Sequence, residues 1–508
     1  MTELIVVLGL CLCSLSLAAV LGRWLAAQRT GAYEVQRLLG AVTRAGGDFL
    51  KQEGRLLGVS LVLVALAVLT PVVLYRSAAA VPEHVGWTAL GLCLGAGAGS
   101  LVARAAFAAA VTLTSRVVEA MRSDLNDATS AALRGSALIA LLTDAVSLLL
   151  TLLVLAIPAW YLRESPDAVS PWSFAAVRLL PAAALGAVAA AAVFQLGGAN
   201  FHTAAGVASL AARREDPSLR TERDKNPALV AELVGDYVGA VAARASDYFA
   251  ALVLGNSAML LVAVWVHRNN PGTSGWALVT LPLLVRAVGL IASSLALGNL
   301  RFDGTQSTWR TLAGAAASAA LVSVVGLFGA SLWLVGGQAH LHYFAAGALG
   351  LLANSLALGL TYLRLRRDVR RRGEAGSNLG SNLGSNVGGD TGSSNGDRAE
   401  APELDVGSPA ARALGQGLQQ TWSLMVGVGL CVLGAWLLGT SAALREGGPL
   451  ALALMLAGLL SLSAFGLTES LFARVAESVR TIAALERSQI DARGRARALE
   501  IDRLGVPL

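Results

Sequence analysis

GGANFHTAAGVASLAARREDPSLRTERDKNPALVAELVGDYVGAVAARASDYFAAL, residues 197–252, decides how this chain is read. Two apolar segments rich in small residues flank a turn that holds four acids and five bases between Arg213 and Lys225. Such segments suit helices packed closely in lipid, because small side chains let backbones approach. The second segment carries Glu232, Asp236 and Asp247, with glycine at 235 and 239. Side chains four apart stand one above the other on a helix, so Glu232 and Asp236 share a face. The apolar flanks put these acids where a span leaves the bilayer. An ionisable group there is costly, which makes each one a candidate functional group.

The rest of the chain has the same apolar character. Of its 508 residues, 55% are hydrophobic and 14% charged, and the mean hydropathy is +0.62. Apolar runs of about twenty residues recur, each long enough to cross a bilayer as a helix. This excludes a soluble multidomain protein. The expected fold class is all-α, a polytopic transmembrane helix bundle of about 11 spans. They fall near 3–22, 56–75, 86–112, 136–162, 172–208, 228–266, 276–299, 310–336, 342–364, 421–441 and 449–485. Residues 4–20 lack a basic flank and read as an uncleaved first span rather than a signal peptide.

Charge sets the expected topology. Arg23, Arg29, Arg37, Arg44, Lys51 and Arg55 lie between the first two spans, and the charged turn at 213–225 follows the fifth. RLRRDVRRR, residues 364–372, follows the ninth, while the alternate loops hold few bases. The positive-inside rule therefore puts the N-terminus outside, and the charged turn and the C-terminus in the cytoplasm. The net charge of +6 needs no nucleic acid partner, because the bases mark span ends. Residues 1–372 read as nine spans, and 411–508 as two more with a cytoplasmic extension. Between them, 373–410 is a Gly/Ser/Asn-rich stretch that reads as a flexible cytoplasmic linker. Cys11, Cys13, Cys93 and Cys431 lie in apolar spans without metal-ligand spacing and read as buried inert thiols. The five histidines show neither an H-x-x-x-H nor a triad pattern.

Residues 197–250 resemble, without a gap, the catalytic core of the membrane-integral pyrophosphatases, the pyrophosphate-energised proton or sodium pumps. The frame is carried by Gly197–Gly198, Asn226–Pro227, Val234–Asp236, Val238–Gly239 and Asp247–Phe249. Weaker echoes lie at 41–55 (AVTRAGGDFLKQEGR), at 124–139 (DLNDATSAALRGSALI, keeping Arg134 and Gly135) and at 468–486 (TESLFARVAESVRTIAALE). The family continues through about five more spans beyond this point of the resemblance.

The resemblance implies a chemistry and a residue set. Pyrophosphate hydrolysis needs hard cations held by carboxylates and an oriented water. By match to the family pattern, Asp236 and Asp247 are the catalytic candidates and Arg214 the substrate-binding one. Asp216, Glu232, Asp236 and Glu477 are implied as Mg²⁺ ligands, and Arg134 with Asp247 for the ion gate. Other family acids are replaced by Gly206, Leu210, Ala240, Ser470 and Ala250, and a lysine by Thr203. Two functions are therefore carried forward. One is coupling of Mg-pyrophosphate hydrolysis to proton or sodium translocation. The alternative is a catalytically inactive scaffold or regulatory subunit. In the plainer reading of the residues, Asp236 is an intramembrane acid paired with Arg134 or Arg244, with no cation. The expected partners are the lipid bilayer, pyrophosphate or phosphate, and a second copy or a chain supplying further spans. The expected location is a bacterial cell inner membrane.

Overall fold

A computed structural model describes residues 2–75, 81–161, 178–215, 227–270, 275–302, 304, 308–337, 339–360, 407–442, 446–485, 496–497 and 499–501. Among these residues there is no strand. A bilayer offers no water to backbone groups, so apolar segments satisfy their own N–H and C=O groups as helices. The order is α1 (Thr2–Ala27), α2 (Tyr33–Tyr75), α3 (Val81–Ser123), α4 (Leu125–Tyr161) and α5 (Leu180–Glu215). Next come α6 (Pro227–Gly235), a π-helical stretch at Asp236–Ala242, α7 (Ala243–Asn269), α8 (Gly275–Gly298) and α9 (Thr308–Leu334). The last are α10 (Ala339–Leu360), α11 (Gly407–Thr440), α12 (Gly447–Leu460) and α13 (Ser463–Leu485).

Among the described residues, ten helical stretches are long and apolar enough to cross a membrane, and Leu424–Thr440 adds a shorter apolar one. The chain is thus an all-α polytopic bundle and an integral membrane protein. At about 1.5 Å per residue, the 43-residue α2 and α3 run well beyond a hydrocarbon core of about 30 Å.

Small residues set the helix spacing. On α3, Gly91, Gly95 and Gly99 face Ala182, Ala183, Ala187 and Ala190 of α5, while Gly186 of α5 faces the Leu92 backbone. A Cβ at Gly95 or Gly186 would overlap a carbonyl oxygen of the facing helix, so no larger residue fits. Gly350 of α10 and Gly458 of α12 draw those two helices together in the same way.

The structure bears on three expectations. The eleventh span is present at Gly447–Ala483 but carries a break: α12 ends at Leu460 and α13 starts at Ser463. Partners from other helices sustain that break, since Arg286 donates to the Leu460 carbonyl and Asn354 to that of Leu459. Two thiols are not buried. Cys11 and Cys431 are, but Cys13 and Cys93 turn outward, because neighbouring positions on a helix point to different faces. The linker expected over 373–410 lies outside the described residues up to 406, and residues 407–410 already belong to α11.

Candidate functional site

Glycine makes the site possible. α5 crosses the start of the π stretch so closely that a Cβ on Gly198 would sit 2.8 Å from the Gly239 Cα. One on Gly235 would sit 2.8 Å from the His202 Cα. This backbone-to-backbone approach accounts for the G-G pair at 197–198 and for the glycines at 235 and 239. On the far side of the same crossing, the buried Glu53 of α2 lies against Gly197. A Cβ there would strike its carboxylate.

The crossing brings His202 onto Asp236, with Nδ1 3.1 Å from Oδ1. Asp236 is buried, at 5% exposure, and His202 is partly open. Asp236 also opens the π stretch, a wider turn that recurs at functional positions because it re-aims the side chains that follow. The next residue, Tyr237, is fully buried and meets Phe107 of α3 edge-on at 6.3 Å, anchoring the turn. The expected partners of Asp236, Arg134 and Arg244, are not the ones it has. A histidine one helix away takes that place, because the glycine crossing brings the His202 backbone against Gly235 and its ring beside Asp236.

The other expected residues fall into separate contacts. Glu232 accepts a hydrogen bond from the Ser209 hydroxyl of α5 at 2.7 Å. On α13, Glu477 accepts from Arg474 at 2.9 Å, one turn apart. Both lie within electrostatic reach of Asp236, and Glu477 also of His202. Arg214 is exposed at the end of α5, and Asp216 lies outside the described residues. Asp247 is exposed on an outward stripe of α7 with Arg244, Ala251, Leu254 and Ala258. Arg134 sits elsewhere, its Nε donating to the Leu300 carbonyl at 2.6 Å and its guanidinium 4.7 Å from the Trp24 ring centre. No contact joins Arg134 to Asp247 among the described residues.

Mg²⁺ demands near-octahedral oxygen ligation. Glu232 and Glu477 each already accept from a donor of the protein itself, and Asp236 stands against the His202 imidazole. No group of three or more His, Cys, Asp or Glu side chains converges as metal ligands among the described residues. Gly206, Leu210, Ala240 and Ser470 bring no carboxylate to this end of the bundle. The described residues therefore do not fit a multi-magnesium cluster.

A second polar cluster escaped the reading of the sequence. Asp144 of α4 and Arg286 of α8 form an ion pair at 2.5 Å, both 1% exposed. Arg286 also donates to the Leu460 carbonyl at 2.5 Å and to Asn256 Oδ1 at 3.4 Å, and Asp144 accepts from Ser463 at 3.1 Å. Each is the lone charged residue within a long apolar run, Asp144 in 135–161 and Arg286 in 275–300. That isolation was the available signal. His202 gave none, because only the crossing joins it to Asp236.

Comparison with known proteins finds relatives of this sequence. The profile of the family described as inorganic H+ pyrophosphatase matches residues 12–367, well over half of the chain. A relative from Moorella thermoacetica, the K(+)-insensitive pyrophosphate-energized proton pump 2, is 24% identical over 480 residues, 93% of this chain. One from Caldanaerobacter subterraneus subsp. tengcongensis, a K(+)-insensitive pyrophosphate-energized proton pump, is 27% identical over 53% of this chain. Pyrophosphate-energized membrane proton pump 3 of Arabidopsis thaliana is 26% identical over 60% of it. The alignments span 62%, 37% and 38% of those relatives' own lengths. Helical architecture, the motif frame over 197–250 and the profile match agree, and the chain belongs to the inorganic H+ pyrophosphatase family.

Proposed function

We propose that this chain binds pyrophosphate at the α5–α6–α13 end of the bundle and takes part in pyrophosphate-linked proton translocation across a bacterial cell inner membrane. The observation that carries this reading is the His202–Asp236 pair, a buried carboxylate and an imidazole 3.1 Å apart at a glycine-tight crossing. Such a pair can hold and pass one proton. Eleven residues on, about 16 Å along a helix axis, Asp247 offers the next acid on the same continuous helical run. Arg214 and Arg474 supply positive charge for a diphosphate. By positive-inside this end faces the cytoplasm, where the substrate would be met.

In the family this chemistry uses Mg²⁺, and the acids described here do not assemble the cluster it would need. A second reading follows from that same observation: a non-hydrolytic member that keeps the fold and the anion site as a scaffold or regulatory subunit.

The full chain reconstituted in vesicles with a pH-sensitive dye separates the two. Mg-pyrophosphate would be added, and phosphate release and lumenal pH recorded together. Purified chain alone is expected to hydrolyse no faster than its Asp236→Ala variant. It is also expected to show a thermal shift with a non-hydrolysable diphosphate that Asp236→Asn abolishes. Phosphate release and acidification that vanish in Asp236→Ala would instead show that the chain is a complete pump. No shift at millimolar ligand would remove pyrophosphate from both readings.

A further inference from the structure

Where α1 ends and α4 begins, the bundle carries a cleft of about 830 Å³ with no lining residue in common with the Asp236 site. Five arginines line it from four segments: Arg29 beyond α1, Arg116 and Arg122 on α3, Arg134 on α4 and Arg301 after α8. Glu119 and Asp127 are the acids in its lining, so cations exceed carboxylates by three, five against two. Basic residues at span ends are ordinary topology signals. Here, however, all five line one concavity, and Arg134 lies close enough to Arg301 for their charges to repel.

Several of these guanidiniums are held in place with donors to spare. Arg134 is pinned by the Leu300 carbonyl and the Trp24 ring. Arg116 donates to the Thr112 and Ala26 carbonyls, while its Nε is buried without an acceptor. At the rim, Arg497 donates to the carbonyls of Met121 and Arg122 and ties the chain's later part to this end of α3. Arg29 and Arg301 are exposed, and neither has a side-chain partner among the described residues. Two held forks beside two exposed ones, with an excess of positive charge, suit an anion that can accept several of them at once.

We propose that this cleft is a second anion site, for a phosphate-type dianion carried either by a free phosphate compound or by an anionic phospholipid headgroup. Guanidinium forks take phosphate oxygens two at a time, with a geometry a lysine cannot supply. The volume suits a small ligand, and basic pockets between helices at a membrane surface accept phosphorylated headgroups. The site does not depend on the Asp236 region, so it stands or falls separately from the proposed function.

The test compares the wild-type full chain, Arg29→Gln/Arg301→Gln and Asp236→Asn, all purified in neutral detergent. One arm titrates inorganic phosphate by thermal shift. The other counts retained phosphatidic acid against phosphatidylcholine by native mass spectrometry. Loss of two charge-assisted contacts should weaken binding by at least about tenfold in the double arginine variant. Asp236→Asn should retain phosphatidic acid as wild type does, because Asp236 does not line this cleft. Because the two replaced side chains are exposed, the variant should elute as a single folded species. Saturation by phosphate assigns a soluble anion, selective retention of phosphatidic acid assigns a lipid, and either supports the site. Binding undiminished in the double arginine variant, or no binding of either probe by wild type, overturns it.

Discussion

Asp144 and Arg286 are the most deeply withdrawn charges described, and they join helices far apart in sequence. Two charges taken out of water repay that cost only when paired and fully hydrogen-bonded. Arg286 meets this condition with an aspartate, an amide and a main-chain carbonyl, and the last of these is one freed by the α12–α13 break. Removing one partner leaves a charge buried without its counterion. Asp144→Leu should therefore cost about 3–5 kcal/mol, read as a lowered unfolding temperature in detergent. The double change Asp144→Leu/Arg286→Met should recover most of that loss, because an apolar pair needs no counter-charge. If single and double variants were equally destabilised, the pair would not act as a unit. His202 and Asp236 differ in kind: their contact is partly open and sits at one end of the bundle, where proton exchange with solvent is feasible.

Among the helices, glycine positions divide into those that carry a crossing and those that carry none. A Cβ at Gly239 would lie 2.5 Å from the Gly198 carbonyl oxygen, whereas one at Gly97 meets nothing within 4 Å. Gly239→Ala should thus force α5 and the π stretch apart, costing about 1–3 kcal/mol, and separate His202 from Asp236. Gly97→Ala should be neutral or stabilising by up to about 1 kcal/mol, since alanine loses less backbone freedom in a helix. Differential scanning fluorimetry of the two single variants compares them directly. Equal unfolding temperatures would show that the crossing tolerates a methyl group. The π stretch belongs to this scale too. It begins at Asp236 and turns the face of α7 that follows, placing Arg244 and Asp247 on the outward stripe while Phe249 and Asn256 face the core.

For the whole molecule, the testable quantity is which end of the bundle faces the cytoplasm. Alternation of helices puts Gln28, the ends of α3 and α5, and the start of α11 at one end, and 267–275 at the other. The distribution of arginine predicts the first end in the cytoplasm. Single cysteines at position 28 and within 373–410, in a background lacking the four native thiols, should react with an impermeant reagent only after the membrane is opened. A cysteine at 272 should react in intact cells. Labelling of 373–410 from outside would invert the topology and move the Asp236 end away from cytoplasmic pyrophosphate.

Apolar runs of span length, with arginines at alternate ends, were enough to read an α-helical membrane bundle, since a bilayer leaves a backbone few other choices. The frame from Gly197 to Ala250 was enough to read the family, and a shared face for Glu232 and Asp236 followed from helical spacing alone. Contacts between helices were beyond that reading. Which donor meets Asp236, how Arg286 holds the α12–α13 break, and why five arginines share one cleft depend on packing between segments up to hundreds of residues apart. Helix period fixes which side chains share a face, but it carries no information about which face of another helix they meet. In this bundle that was decided by close approach at Gly95, Gly186, Gly198 and Gly239, where the absence of a Cβ lets one backbone rest on another.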